Sequence, residues 1–334
     1  MANEWPRHLL DVESLTRTQI EAVLHLASRY KRDRVPGAQH ASSRHALDGR
    51  TVITLFFENS TRTRSSFEMA ARALGADVLS FQKDASSVSK GETLMDTVRN
   101  LDALRPDAIV VRHPSAGTAR QISRATQTAT VLNAGDGAHE HPTQGLLDAL
   151  TLRERFGTLE GRTIAIVGDI AHSRVARSNI HTLLKLGAKV RVAGPATLLP
   201  VGIERLGCTV MRTLKSALDG ADAVMALRIQ QERLADARIP STRDYARVWG
   251  LTARTLALLP DHAVVLHPGP VNRGVELAGD VADGERSLIL DQVDSGVAVR
   301  MAALALCLRA PGAHEEAFDG AAALAARPRR AGAL

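Results

Sequence analysis

Apolar residues recur along this chain in two alternating rhythms. The run "RTVITLFF" (50–57) is apolar at nearly every position, which predicts a strand covered on both faces of its sheet. The residues that follow change to a helical period. Phe67, Ala70, Ala71 and Leu74 fall on one face, and Gly75 closes the turn. Runs of the first kind return at 76–81, 107–113, 129–135, 161–169, 188–194, 221–228 and 262–270. Helical periods lie between them at 116–126, 143–157 and 173–187, and a strongly apolar helix covers 295–310. An earlier helix starts at Thr16, where Thr16 and Gln19 make a capping box and Ile20, Val23, Leu24 and Ala27 share a face. Strands alternating with helices predict an α/β fold with parallel sheets flanked by helices.

The chain has 334 residues, enough for two cores. The glycines at 157 and 161 mark the boundary. We expect one domain over 1–150, a second over 158–290, and a helix over 292–309 that packs back on the first domain. Residues 310–334 end in "AAALAARPRRAGAL", whose low complexity predicts a flexible tail. No apolar run approaches the roughly 20 residues of a membrane span. The first residues carry Glu4 and Asp11 and lack a long apolar core, so a secretory leader is not expected. Cys208 and Cys307 are isolated in apolar settings, which predicts a reducing, cytoplasmic location without a disulfide or metal framework. The net charge of +6 suits small anions, while 3% aromatic residues argue against stacking platforms for single-stranded nucleic acid.

The polar residues gather just after the strands. "ENSTRTR", "RHPSAGT", "AHEHPTQG", "IAHSRVARS", "RIQQER" and "HPGPVNRG" each follow an apolar run. Ligands of open parallel sheets bind beyond the carboxyl ends of the strands, so two such sheets facing each other pool these junctions in one cleft. Ser60, Thr61, Arg62 and Thr63 stand where a helix begins. Free backbone N–H groups, hydroxyls and a guanidinium there suit a phosphate; the plainer alternative is a capped helix beside solvated arginines. Arg112 reads as a second cation at a strand end, or as a surface arginine. His139 and His141 are spaced like a metal pair, but Pro142 follows and no further ligands complete a set, so no metal is expected. His141 is the better candidate for a polarising donor, with a capping histidine as the alternative. "VGDIAH" lacks the glycine pattern of a dinucleotide site, so NAD is not expected. Arg174 and Arg228 suit carboxylates, and Gln230 can donate or accept; helix-face solvation is the alternative. "KDASSVSKGETL" (83–94), with Ser86 and Lys90, reads as a mobile loop, either solvated or able to close over an anion.

Taken together, "FxExSTRTRxSFE", "SKGET", "VVRHP", "HPTQ", "GDxxHSRVARS", "LRxQxER" and "HPGPxNRGVE" resemble the carbamoyltransferase family, over about residues 50–302. They are most similar to its aspartate-using branch. The ornithine-using branch carries His-Cys-Leu-Pro where this chain has His267-Pro268-Gly269-Pro270. The resemblance implies transfer of a carbamoyl group from carbamoyl phosphate to L-aspartate by direct attack, without a cofactor or a covalent enzyme intermediate. It implies that Ser60, Thr61, Arg62 and Thr63 hold the phosphate. Arg112 also grips the phosphate and, with Thr63 and His141, polarises the carbamoyl oxygen. Gln144 and the carbonyls of Gly269 and Pro270 take the carbamoyl amine, and Lys90, Arg174, Arg228 and Gln230 the aspartate. It further implies a homotrimer with shared sites, Ser86 and Lys90 reaching in from a neighbouring subunit. A higher assembly with a dihydroorotase-like or regulatory chain is suggested, and no nucleic-acid or membrane partner. The competing expectations are an ornithine acceptor and, from another class, a non-catalytic binder of phosphate or nucleic acid.

Overall fold

The computed structural model describes residues 4–35, 41–82, 93–229 and 241–325. Two parallel sheets carry the fold. The first is built from β1 (Thr51–Phe56), β2 (Asp77–Gln82), β3 (Ala108–His113) and β4 (Thr130–Asp136) in the order β2-β1-β3-β4. Its helices are α1 (Arg17–Asp33), α2 (Thr61–Ala73), α3 (Leu94–Ala103), α4 (Thr118–Ala125) and α5 (Pro142–Phe156). Every residue of β4 and five of six in β1 are buried, as their unbroken apolar character requires in a sheet covered on both faces. The capping box that opens α1 is formed: Thr16 Oγ1 accepts the Gln19 N–H at 3.2 Å, and Gln19 Oε1 accepts the Thr16 N–H at 2.8 Å. Ahead of α1, Leu9 pairs with Leu132 and so runs along the open edge of β4. Trp5, Leu9 and Val12 are buried there.

The second sheet has the order β7-β6-β5-β8-β9. It comprises β5 (Thr163–Val167), β6 (Lys189–Ala193), β7 (Thr209–Met211), β8 (Ala223–Ala226) and β9 (Val264–Leu266), all parallel. Around it lie α6 (Arg174–Lys185), α7 (Leu214–Leu218), α8 (Thr242–Trp249), α9 (Ala253–Leu256) and α10 (Gly279–Ala282). The last helices are α11 (Ile289–Cys307) and α12 (Ala313–Ala325). Buried almost all round, α11 packs on α1, α2 and α5, elements of the first sheet's half. The two cysteines are free and buried.

One expectation is corrected. Residues 313–325 are not a flexible tail: they form α12, which packs on α1. Ala313, Ala317, Phe318 and Ala321 recur at helical spacing and are buried, so the alanine-rich composition hides an apolar stripe. Residues 326–334, including the arginines of the tail, lie outside the described residues.

The strand orders place the site. In the first sheet the chain leaves β1 to one side for β2 and returns on the other for β3. In the second it leaves β5 for β6 and returns for β8. Each reversal opens a crevice at the carboxyl ends of the two strands that flank it. The crevices fall at the carboxyl ends of β1 and β3, at residues 57–63 and Arg112, and of β5 and β8, at residues 168–174 and Arg228.

Candidate active site

Both crevices open into one cavity of about 830 Å³, lined from each half of the molecule. Residues 60–63 line it at the start of α2. Ser60 is the N-cap, yet its hydroxyl makes no capping hydrogen bond, so the first turn keeps its unpaired N–H groups and positive dipole end. The Arg62 guanidinium lies against Gly269. Gly269 has φ +64°, which favours glycine, and a Cβ built on it would collide with the Arg62 guanidinium and push that side chain aside. Burial, then the charge of Arg228, lowers the Arg62 pKa.

Arg112 is next to last in β3, at a register shift between Val111 and His113, the kind of irregularity that re-aims a side chain. Its Nη1 lies 3.4 Å from Thr63 Oγ1, and its Nη2 donates to Glu58 Oε1 at 2.8 Å. Glu58 also receives Arg174, through Nη1 on Oε2 at 3.0 Å and Nη2 on Oε1. One carboxylate thus ties a cation of the first sheet to a cation of the second. Burial works to raise the Glu58 pKa, but the hydrogen bond from Arg174 and the two guanidinium charges outweigh it, and the net shift is downward. Burial lowers the Arg112 pKa to about 10, with Arg174 adding to the effect and Glu58 opposing it.

His141 caps α5 at the bottom of the cleft. It is buried, and neither ring nitrogen finds a hydrogen-bond partner among the described residues. Burial, then Arg112, Arg300 and Arg174, holds its pKa well below the ordinary value, so the ring is neutral. A buried, unpartnered N–H costs about 1–3 kcal/mol, and this one lies among cations on a cleft wall. Its backbone N–H donates to Ser178 Oγ at 2.9 Å, and that hydroxyl donates to Glu140 Oε2 at 2.8 Å. One turn on, Gln144 donates to Asp148 Oδ1 at 2.9 Å. His139, by contrast, bonds Asp136 at 3.1 Å and does not pair with His141. Among the described residues, Glu13, Glu140 and His181 come close enough to share a cation. Glu140 is already taken up by the N–H groups of Val12 and Glu13 and by Ser178, and the Lys185 ammonium bonds the carbonyls of Val12, Glu13 and Leu15 beside it.

Residues 7–154 match the domain described as aspartate/ornithine carbamoyltransferase, carbamoyl-P binding domain, and residues 160–307 match the Asp/Orn binding domain of the same family. The chain belongs to the aspartate/ornithine carbamoyltransferase family. The aspartate carbamoyltransferase catalytic subunit of Anaeromyxobacter sp. (strain K) is 56% identical over 312 residues, 93% of this chain and 98% of that one. Aspartate transcarbamoylase from Trypanosoma cruzi, solved in complex with N-(phosphonacetyl)-L-aspartic acid, has a TM-score of 0.81 at 32% identity, covering 92% of this chain and 97% of that one. Ornithine carbamoyltransferase from Thermus thermophilus has a TM-score of 0.79 at 29% identity, covering 91% and 99%.

For a carbamoyltransferase-family chain, the residues singled out in the sequence converge well. Residues 60–63, Arg112, His141, Gln144, Arg174, Arg228 and the 269–270 turn all border the one cavity. Ser86, Lys90 and Gln230 lie outside the described residues. Among the cleft residues that were not singled out are Glu58, Ser66, Gln292 and Arg300. Arg300 is 4% exposed, donates to Ser66 Oγ at 2.8 Å and lies over the Phe67 ring. The signal for it was legible: one charge in the run "GVAVRMAALALC" must have partners, because an unpaired buried charge is prohibitively costly. Glu58 gave no such signal, since an acid beside an anion site is sensible only once its two arginines are known.

Proposed function

We propose that this chain transfers the carbamoyl group of carbamoyl phosphate to the amine of L-aspartate, giving N-carbamoyl-L-aspartate and phosphate, the committed step of pyrimidine synthesis. The observation that carries the reading is the convergence of Arg62 and Arg112 from one sheet with Arg174 and Arg228 from the other on a single cleft. A phosphate dianion beside a dicarboxylate requires such an excess of guanidinium groups. The ammonium-bearing side chain of ornithine would be repelled by the same groups. The kinship with chains named for aspartate, and the absence of a thiol in His267-Pro268-Gly269-Pro270, support the same choice.

In this reading the phosphate lies on the N–H groups and hydroxyls of Ser60, Thr61 and Thr63, with Arg62 and Arg112 closing on it. The carbamoyl oxygen receives Thr63, Arg112 and the neutral His141. Gln144 and the carbonyls of Gly269 and Pro270 accept from the carbamoyl amine. Arg174, Arg228 and Gln230 take the aspartate carboxylates. The amine lone pair attacks the carbonyl carbon, and negative charge collects on an oxygen already faced by donors. Collapse expels phosphate, which carries away the proton lost by the amine. No side chain need act as base; holding both reactants in one cleft supplies much of the rate. We place Ser86 and Lys90 in the site of a neighbouring subunit of a homotrimer, Lys90 on the aspartate, and the reaction in the cytoplasm.

Purified full-length protein given carbamoyl phosphate should form N-carbamoyl-L-aspartate from L-aspartate and no citrulline from L-ornithine. Turnover with ornithine alone, or with neither, would overturn the proposal. Inhibition by N-(phosphonacetyl)-L-aspartate, and a trimeric mass in solution, are expected alongside.

A further inference from the structure

Asp148 interrupts an apolar run, Leu146-Leu147-Asp148-Ala149-Leu150, and has no exposed surface. Three side-chain amides converge on it. Gln144 Nε2 and Gln292 Nε2 donate to Oδ1 at 2.9 and 2.7 Å, and Asn179 Nδ2 donates to Oδ2 at 2.7 Å. Burial raises the Asp148 pKa to about 6 against the pull of these amides and of Arg300, and both oxygens accept from amide nitrogens, the pattern of a carboxylate. A carboxylate only accepts. Each amide must therefore turn its nitrogen end inward, and the consequence falls at the other ends. Gln144 borders the cleft, and with its nitrogen turned to Asp148, its oxygen is the end directed away from that carboxylate. Gln292 Oε1 accepts the His267 N–H at 2.9 Å, and His267 Nδ1 accepts the Gly269 N–H at 2.8 Å. The connection crosses from α5 through α11 to the turn after β9, and so joins the two halves of the molecule.

We propose that Asp148 and Gln292 form a positioning relay that turns the Gln144 oxygen toward the cleft and sets the Gly269–Pro270 carbonyls opposite it. Together these oxygens select a ligand carrying –NH₂ beside its carbonyl. The inference rests on the function proposed above. It makes the relay a specificity device. Acetyl phosphate, with –CH₃ in place of –NH₂, leaves those acceptors unpaired, whereas inorganic phosphate never reaches them. In Asp148→Asn the carboxamide offers one acceptor oxygen and one NH₂ to three amide nitrogens. At least one amide nitrogen loses its acceptor at position 148, and because the new carboxamide can itself turn either end toward Gln144, the Gln144 orientation is no longer imposed.

The test compares the carbamoyl-phosphate KM with inhibition constants for acetyl phosphate and inorganic phosphate, in the wild type, Asp148→Asn, Gln144→Ala and the double variant. Loss of one hydrogen bond is worth roughly tenfold, so Asp148→Asn should raise the carbamoyl-phosphate KM by about that factor. The preference over acetyl phosphate should shrink by a similar factor, while the phosphate constant stays within about twofold. In the Gln144→Ala background the same substitution should add less than about threefold, because the two act as one unit. An unchanged preference in Asp148→Asn, or an undiminished effect in the Gln144→Ala background, overturns the relay. If Asp148→Asn does not fold, Gln292→Leu takes its place: a smaller preference for carbamoyl phosphate over acetyl phosphate is then the expected result, and an unchanged preference the one that overturns the relay. Wild-type protein that makes no carbamoyl-aspartate overturns the functional reading and the relay with it; wild-type turnover with an unaltered variant preference overturns the relay alone.

Discussion

Two turns of this molecule are built alike and used differently. Each follows a buried strand at the reversal point of its sheet and opens a helix with a serine: β1 leads to Ser60 and α2, β5 to Ser173 and α6. Ser173 spends its hydroxyl on the Ala176 N–H at 3.1 Å, so the start of α6 is closed by its own side chain. Ser60 spends its hydroxyl on no cap, and the start of α2 stays open to the cleft. The arginines follow the same division. Arg174, first in α6, borders the cleft while held by Glu58 and the Gly137 carbonyl, whereas Arg62 lies against the Gly269 turn. A serine before a helix is therefore weak information by itself. What separates a ligand site from a cap is where the hydroxyl is spent.

The contrast can be broken or sharpened by substitution, and the largest effect belongs to Arg62. Arg62→Ala should lower turnover on the order of 10²–10³-fold, the usual cost of removing a donor aimed at developing charge. Its circular dichroism and melting temperature should match the wild type. Gly269→Ala comes next. It forces an ordinary residue to φ +64°, at about 1–2 kcal/mol, and drives a methyl into Arg62. Steady-state kinetics should show at least tenfold lower kcat/KM, a difference of about 1.4 kcal/mol. The two serines should then exchange roles. Ser173→Ala should cost about 1 kcal/mol in denaturant unfolding with little change in KM, and Ser60→Ala should weaken carbamoyl phosphate with little change in stability.

The smallest effect is a pH dependence. Asp148 holds its proton up to about pH 6 in the folded protein, higher than in the unfolded chain. Its contribution to stability is therefore greatest below the unfolded value, declines as pH rises toward 6, and is level above that. The difference between wild-type and Asp148→Asn unfolding free energies, followed from pH 4 to 8, should bend in that window.

Much of this site was legible in the sequence, for a physical reason. Parallel strands buried on both faces must be apolar throughout, so the polar clusters that follow them stand out, and residues 60–63, Arg112, Arg174 and Arg228 were visible in that way. Less was visible where function lies inside an element. Asp148 and Gln292 sit within helices, and their meaning depends on α5 and α11 meeting, which no local pattern specifies. Glu58 stood in plain view in "FFENST" but gains its role only from two arginines 54 and 116 residues away. The α12 stripe was hidden because alanine serves a buried helix face and a low-complexity tail equally well.

In the proposed function the open start of α2 seats the phosphate. Calorimetric titration of inorganic phosphate into the wild type, Ser173→Ala and Arg62→Ala tests this most directly. We expect one phosphate per chain, the same affinity in Ser173→Ala, and at least tenfold weaker binding in Arg62→Ala, as befits loss of a charge-assisted contact. Wild-type affinity in Arg62→Ala would place the phosphate elsewhere and contradict the account.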